Sequence, residues 1–241
     1  MKHLYIIFLV LPLIGFGQGW EQTYGGEGFD EGFSVQQTTD GGYIITGSFQ
    51  NLENINNSQM GRELSLIKIS ENGEEEWFQT YSGSYQGNSI KQTNDGGYII
   101  CGIGGICSNG SSLIKTDGNG EQEWFQCLDN NQPSTGVFPR SLQKTDDGGY
   151  IITGSVFTFY NEDSDIYITK IDENGSELWN QTFGDTNGDE GYSVQQTTDG
   201  GYIICGKTLS YLDNVIWDDD LYIIKTNDSG VEEWSQLYGE T

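Results

Sequence analysis

The chain has 241 residues, no alanine, 35 glycines, and 36 acidic against 10 basic side chains, which gives a formal net charge of −26. The lack of alanine and the abundance of glycine argue against a helical protein, and a length of this order suits one all-β domain or two smaller ones. The charge argues against binding to nucleic acids or to anionic lipid surfaces, because both carry negative charge themselves.

The N-terminus has the features of an export signal. Lys2 and His3 precede an apolar run over residues 4–16, and Gly15 and Gly17 fit the small residues found before a cleavage site. We expect residues 1–17 to be a signal peptide, so that residues 18–241 form a secreted or periplasmic domain. A buried N-terminal strand is the alternative. The exported domain would contain no histidine, because His3 is the only one in the chain.

Two phrases recur along the rest of the chain. The first, Asp-Gly-Gly-Tyr followed by Ile-Ile-x-Gly, returns at intervals of 55, 52 and 52 residues. The second has a lysine, then a glycine, then a tryptophan four residues after that glycine. The repeated aspartates are Asp40, Asp95, Asp147 and Asp199, the lysines are Lys68, Lys115, Lys170 and Lys225, and the tryptophans are Trp77, Trp124, Trp179 and Trp234. Counted from tryptophan to tryptophan, the units are 20–76, 77–123, 124–178 and 179–233, with a partial unit at 234–241.

Each unit reads as four short strands, which in the first unit are residues 33–38, 43–47, 64–69 and 77–81. Glycine and asparagine in two of the links favour tight hairpins, because they accept positive φ. Four short strands in about 50 residues are typical of a propeller blade. We therefore predict an all-β fold, a β-propeller-like array of four four-stranded antiparallel blades plus one extra strand at residues 20–24. A solenoid-like stack is the alternative, and the sequence leaves both a closed ring and an open arc possible.

The order of the strands separates two faces of the domain. All tight hairpins fall on one face, and the links that vary between units fall on the other, which we name the variable-loop face. Within units these links are residues 50–63, 103–111, 155–165 and 207–220, and between units they are 25–32, 82–88, 129–140 and 184–191. Binding usually occurs on loops held by a rigid scaffold, so we expect the function on this face.

The four cysteines divide into two kinds. Cys101 and Cys205 occupy the same repeat position as Thr46 and Thr153, which indicates packing. Cys107 and Cys127 lie close together in one unit and are the better candidates for a disulfide in an exported protein.

The phrase at residues 115–124 resembles the tryptophan-docking motif of quinoprotein-like propellers, with Asp117, Gly120 and Trp124 at the motif positions. Asp172, Gly175 and Trp179 match it in the next unit, whereas Ser70 and Asn227 replace the aspartate in the others, and the aspartate-to-glycine spacing is one residue short throughout. The Asp-Gly-Gly-Tyr phrase is similar to that of secreted bacterial repeat proteins, some of them labelled endoglucanases. The resemblance covers residues 20–241 and implies a propeller. It implies no quinone cofactor, because the family's cofactor ligands have no match, and its non-enzymatic relatives are cell-envelope scaffolds.

The repeated residues are interpreted as structural. A catalytic residue is normally unique, whereas a turn-capping aspartate is needed in every blade. The tryptophans favour packing between blades over sugar stacking, and the lysines favour local ion pairs. Without histidine, Ser-His-Asp catalysis and His-ligated metals are excluded, which leaves carboxylate chemistry or calcium.

Two segments on the variable-loop face are candidate sites. Asp185, Asn187, Asp189 and Glu190 resemble the start of a calcium loop, with a solvated polar loop as the alternative. An aromatic patch with an acidic rim is the candidate binding site, with packing between loops as the alternative. Its residues are Phe157, Phe159, Tyr160, Tyr211, Trp217, Asp218, Asp219 and Asp220.

From the sequence we predict an exported, non-enzymatic binding scaffold whose partner is a protein or a glycan, with calcium as the one cofactor considered. No nucleic-acid partner is expected, and no membrane contact after removal of the signal peptide. One alternative is a carbohydrate-active enzyme, of the endoglucanase-like glycoside hydrolase kind, or its accessory lectin. It would require two close carboxylates beside an exposed aromatic side chain. The other is a structural homo-oligomer assembled through exposed strand edges.

Overall fold

The computed structural model describes residues 20–52, 61–104, 107, 110–128, 135–158, 163–185, 188–212 and 216–239, without the side chains of residues 210–212 and 216–218. The expected signal peptide, residues 1–17, lies outside this part. The described chain forms sixteen strands in four antiparallel sheets, each made of four consecutive strands and named blades 1 to 4. The strands are β1 (Glu31–Gln37), β2 (Tyr43–Gln50), β3 (Arg62–Ile69) and β4 (Glu75–Tyr81); β5 (Ser84–Gln92), β6 (Tyr98–Gly104), β7 (Ser111–Thr116) and β8 (Gln122–Gln126); β9 (Thr135–Lys144), β10 (Tyr150–Thr158), β11 (Asp163–Ile171) and β12 (Glu177–Phe183); β13 (Asp189–Gln196), β14 (Tyr202–Leu212), β15 (Ile216–Thr226) and β16 (Glu232–Tyr238).

The predicted all-β architecture of four four-stranded blades is confirmed, but several segments predicted as loops are largely strand. β5 begins at Ser84 and β9 at Thr135, inside the predicted loops 82–88 and 129–140. Residues 155–165 and 207–220 are mostly strand, since β10 continues to Thr158 and β15 begins at Ile216. The backbone of Tyr211 lies opposite that of Trp217 in this long hairpin. The extension is favourable because paired strands satisfy backbone groups that an irregular loop leaves to solvent.

The Asp-Gly-Gly phrase forms the tight turn between the first two strands of each blade. In blade 1, the Thr38 hydroxyl and the amide of Gly42 both donate hydrogen bonds to Asp40, at 2.5 and 3.0 Å. Gly41 has φ of +89°, which a residue with a side chain adopts only with strain. The same two hydrogen bonds recur at Asp95, Asp147 and Asp199.

Apolar packing between successive blades forms three cores. Leu64 and Leu66 of blade 1 meet Ile90 and Ile100 of blade 2 in the first of them. Equivalent clusters join blades 2 and 3, and blades 3 and 4. Blades 4 and 1 form no comparable core within the described residues, so these four blades make an arc that is open between blade 4 and blade 1.

Each tryptophan of the repeat packs on the next blade. A Cβ atom at Gly120 of blade 2 would lie 2.8 Å from the ring of Trp77 of blade 1, and the Trp77 ring also packs against Tyr98, with centroids 5.9 Å apart. Trp124 lies on Gly175 and Trp179 on Gly230 in the same way. The turn therefore requires glycine for two reasons: its backbone has a positive φ, and the indole approaches it closely.

The extra strand predicted at residues 20–24 is not formed, since the described backbone there is irregular. The side chains nevertheless take the docked positions of the repeat. Trp20 lies on Gly73 and donates a hydrogen bond to the carbonyl of Glu71, at 3.1 Å. The Tyr24 hydroxyl donates to the carbonyl of Gly73, as Tyr81 does to Gly120. The segment thus takes the place of a preceding blade's tryptophan without pairing its backbone.

The repeated lysines are buried and form local ion pairs. Lys68 is 3% exposed and lies 3.0 Å from Asp40 and 2.9 Å from Glu76. Burial opposes the charge of Lys68, but the hydrogen bonds that its ammonium donates to Glu76 and Asp40 outweigh burial and raise the pKa of Lys68. In blade 3, Leu178 stands at the repeat position of Glu76, and Lys170 pairs with Asp147.

These pairs predict a loss of stability in acid. Hydrogen bonds from Thr38 and Lys68 lower the pKa of Asp40 to about 2, and Asp95, Asp147 and Asp199 also have pKa values of about 2. A carboxyl group whose pKa is lower in the folded than in the unfolded state stabilises the fold above its ordinary pKa, and that contribution disappears as the pH falls through the folded value.

We therefore expect the thermal unfolding midpoint, followed by circular dichroism, to fall steeply between about pH 4 and pH 2. Carbon-detected NMR titration of the four carboxyl groups is the control, because it reports each pKa directly. Midpoints near pH 4 for all four groups would contradict this origin of the acid sensitivity.

The structure joins Cys107 and Cys127 in a disulfide, the pair favoured by their spacing. Cys101 and Cys205 are free thiols. Burial raises the pKa of the Cys101 thiol to about 12, which makes it unreactive at neutral pH. Within the described residues there is no helix of the length and apolarity needed to cross a bilayer.

Candidate functional site

A cavity of about 550 Å³ lies where the first strands of all four blades converge on the variable-loop face. The first strand of every blade begins on this face and runs toward the tight turns, so the starts of β1, β5, β9 and β13 meet around one axis. The described lining consists of Phe33, Gln86, Asn88, Ile103, Phe138, Arg140, Ser155, Phe157, Ser164, Glu190 and Tyr192.

A β-bulge in each first strand directs one side chain into this cavity. In β1 the register passes from Gly32 to Ser34, so that Phe33 has no partner across the ladder. Similar shifts skip Asn88 in β5, Arg140 in β9 and Tyr192 in β13. A bulge leaves one residue unpaired and re-aims its side chain. Four blades thus contribute an aromatic ring, an amide, a guanidinium and a phenol from one equivalent position.

Arg140, Glu190 and Tyr192 form a polar network on one wall. The Arg140 guanidinium donates to Glu190 at 2.5 Å and lies 4.9 Å from the centre of the Tyr192 ring. The Tyr192 hydroxyl donates to the same carboxylate at 3.1 Å. Burial and the Glu190 charge raise the pKa of Tyr192, so its hydroxyl stays protonated at neutral pH. These contacts hold Arg140 and Tyr192 in fixed positions at the cavity.

Amides and aromatic rings form another part of the described lining. Gln86 donates to the side-chain carbonyl of Asn88, and Asn88 donates to the backbone carbonyl of Pro139, both at 2.6 Å. These bonds orient the two amides beside the rings of Phe33 and Phe138. A concave site with apolar faces and a few oriented polar groups is typical of small-ligand binding.

The predicted aromatic patch is described only in part. Phe157 lines the cavity through the end of β10. Asp219 lies 3.3 Å from Lys207, and Asp220 pairs across the hairpin with Thr208. Phe159 and Tyr160, and the side chains of Tyr211, Trp217 and Asp218, lie outside the described part, so the patch stays a prediction.

Two of the predicted calcium ligands, Asp189 and Glu190, point to different sides of β13. Asp189 is buried, accepts a hydrogen bond from the amide of Asp185 at 3.1 Å, and lies beside Gly184. In the corresponding loop of blade 1, the Asp30 carboxylate accepts a hydrogen bond from the amide of Gly26, at 2.6 Å. Asp189 therefore has a counterpart with the same structural role. Glu190 is the next strand residue and faces the cavity, because successive side chains alternate between faces.

Burial and neighbouring carboxylates raise the pKa values of Asp165 and Asp189. Among the described residues, no group of three or more His, Cys, Asp or Glu side chains is arranged to hold a metal ion. Asn187 is outside the described residues, and calcium binding stays a prediction.

Phe33, Asn88, Arg140 and Tyr192 were not among the residues predicted from the sequence. A signal for them exists: each unit has a glycine or proline, one variable residue, and a serine at the start of its first strand. The variable residue between two repeated ones marks the bulge.

The chain matches no protein-family model and no curated protein. Among solved structures, an α-L-arabinofuranosidase (CtGH43) from Clostridium thermocellum aligns with 84% of this chain and 70% of its own, at 14% identity and a TM-score of 0.51. A GH43 endo-arabinanase from Bacillus licheniformis aligns at 14% identity, with a TM-score of 0.49 and coverage of 92% and 83%. The Pan2 WD40 domain of Neurospora crassa aligns at 13% identity, with a TM-score of 0.42 and coverage of 87% and 66%. The likeness to the arabinofuranosidase, together with the four four-stranded sheets, shows that the chain has a β-propeller fold.

Proposed function

We propose that this protein is an exported, non-enzymatic scaffold that binds a glycan in the cavity of the variable-loop face. The observation that carries the proposal is the set of four bulged residues, one from each blade, that point into one cavity. Export is supported by the signal-like residues 1–17 and by the Cys107–Cys127 disulfide, since disulfides persist mainly outside the cytoplasm.

The chemistry of the cavity fits a sugar. Phe33, Phe138 and Tyr192 offer ring faces on which the C–H face of a sugar can pack, and Gln86 and Asn88 offer amides to its hydroxyl groups. Arg140 adds charged donors. A volume of about 550 Å³ is in the range of small-ligand sites. A partner protein would instead use a broad surface of about 800 Å².

A glycoside hydrolase is the second candidate, but the cavity supports it less well. Such an enzyme needs two carboxyl groups about 5 to 10 Å apart. The described lining contributes one carboxylate, Glu190, and this group accepts hydrogen bonds from Arg140 and Tyr192.

The test is a glycan array screened with the wild-type protein and a Tyr192→Ala variant, with and without calcium. Tyr192 is 42% exposed, so its truncation leaves the blade packing intact. We expect the wild type to bind a related subset of glycans and the variant to bind them at least about ten-fold more weakly, since a lost ring contact and hydrogen bond are together worth about 1.4 kcal/mol or more.

Leu178→Ala is the control, because Leu178 is 57% exposed on β12 and does not line the cavity. It should bind as the wild type does. A wild type that binds no glycan, or a Tyr192→Ala variant with undiminished binding, would overturn the proposal. Release of reducing sugar from a bound glycan would favour the enzyme instead.

A further inference from the structure

The two ends of the arc of blades expose faces that are buried everywhere else. The face of a blade toward the next blade is named its last face, and the face toward the previous blade its first face. On the last face, Leu64 of blade 1 and Ile166 of blade 3 are fully buried, whereas Leu221 at the same position of blade 4 is 43% exposed. Tyr81 is 7% exposed and its counterpart Tyr238 is 58% exposed.

The first face of blade 1 is likewise exposed, and it is the face on which a last face would pack. Val35 is 64% exposed, whereas its counterparts Ile90 and Val194 are at most 1% exposed. A groove of about 220 Å³ on this face has Ile45 and Ile67 in its lining. It lies where a preceding blade would pack.

Comparison with the internal interfaces identifies what fills such a groove. A Cβ atom at Gly87 of blade 2 would meet Thr46 and, at 3.2 Å, Leu64, both from the last face of blade 1. At the equivalent Gly32, the nearest atom is the chain's own Ile45, at 3.6 Å. The missing neighbour therefore corresponds to Leu64, and the residue at that position in blade 4 is the exposed Leu221.

The tryptophan contact completes the match. Trp234 is 50% exposed, whereas Trp77, Trp124 and Trp179 each lie on a turn glycine of the next blade. The corresponding glycine of blade 1, Gly73, is covered by Trp20. Trp20 is itself 46% exposed and belongs to a segment without strand pairing, so a tryptophan from another copy can compete with it for this position.

We propose that copies of this chain associate head to tail, with the last face of blade 4 in one copy packed on the first face of blade 1 in the next. Leu221 would enter the groove beside Ile45, and Trp234 would replace Trp20 on Gly73. The same interface occurs three times inside the chain, and the described blade 4 does not pack on blade 1 of its own copy. A contact between unlike faces is heterologous and continues from copy to copy.

The test uses two variants whose altered side chains are exposed in the single chain, Leu221→Glu and Val35→Glu. Each disables one of the two faces. Sedimentation velocity in 0.15 M salt, which screens the strong negative charge, should show wild-type species that grow with concentration. Each variant alone should stay monomeric, with association weakened at least about ten-fold. Their equimolar mixture should form a dimer, because the intact blade 4 of Val35→Glu fits the intact blade 1 of Leu221→Glu.

Two further variants complete the test. Leu178→Glu, at a side chain 57% exposed on β12, is the matched control and should associate as the wild type does. Trp20→Ala should associate more tightly, because it vacates Gly73. A wild type that is monomeric at every concentration, a variant mixture without dimers, or a Trp20→Ala variant with unchanged association would overturn the proposal.

Discussion

Replacement of Trp124 by alanine is expected to lower the free energy of unfolding by about 3 kcal/mol, at the lower end of the range for tryptophan truncation because the ring is half-buried. Trp124 packs against the core between blades 2 and 3 and covers Gly175. Its loss leaves a void that the glycine turn cannot fill, since glycine has no side chain to move into it.

Trp234→Ala is the matched control, because it removes the same side chain from the same repeat position where no blade covers it. We expect a change within about 0.5 kcal/mol for this exposed site. Urea unfolding followed by circular dichroism, at protein concentrations too low for association, measures both variants. Equal losses would contradict the docking of each tryptophan on the next blade.

Gly120→Ala should lower the free energy of unfolding by about 3 kcal/mol for a different reason. Gly120 has φ of +80°, where an L side chain costs about 1 to 2 kcal/mol. The new Cβ atom would also lie 2.8 Å from the Trp77 ring, and overpacking of this kind costs about 1 to 3 kcal/mol.

Gly96→Ala separates the two contributions. Gly96 has φ of +88°, but a Cβ atom there would meet nothing within 4 Å. We expect it to lose about 1 kcal/mol, the backbone cost alone. The measurement is again urea unfolding. If both variants lose the same free energy of unfolding, the close approach of the Trp77 indole does not contribute to the need for glycine at position 120.

The sequence predicted the blades well because the same residues meet the same physical demands in every unit. Trp77 and Gly120 are repeated because each indole needs a turn without a side chain, and Asp40 is repeated because each turn needs an acceptor for its amide and hydroxyl. The turn is a local demand, and the tryptophan contact recurs between each pair of successive blades, so both leave a periodic pattern in the sequence.

What the sequence did not predict depends on neighbouring blades or on pairing partners. The residues around Trp20 match the strand pattern of the repeat, but no described sheet edge is there to pair with them. Only the Trp20 side chain therefore docks, on Gly73. The predicted loop around Tyr211 became a hairpin because the two backbone segments can pair. Arg140 and Tyr192 point into one cavity only because their strands bulge where four blades converge, and no single unit shows that convergence.

In the proposed function, a ligand is held at the starts of the first strands on the variable-loop face. Amide hydrogen exchange with and without a glycan selected on the array tests it most directly. We expect slower exchange in residues 135–140 and 188–192, around Arg140 and Tyr192, and no change in the tight turns of the opposite face at Asp95 and Asp147. Protection confined to those turns, or to the exposed face of β16, would contradict it.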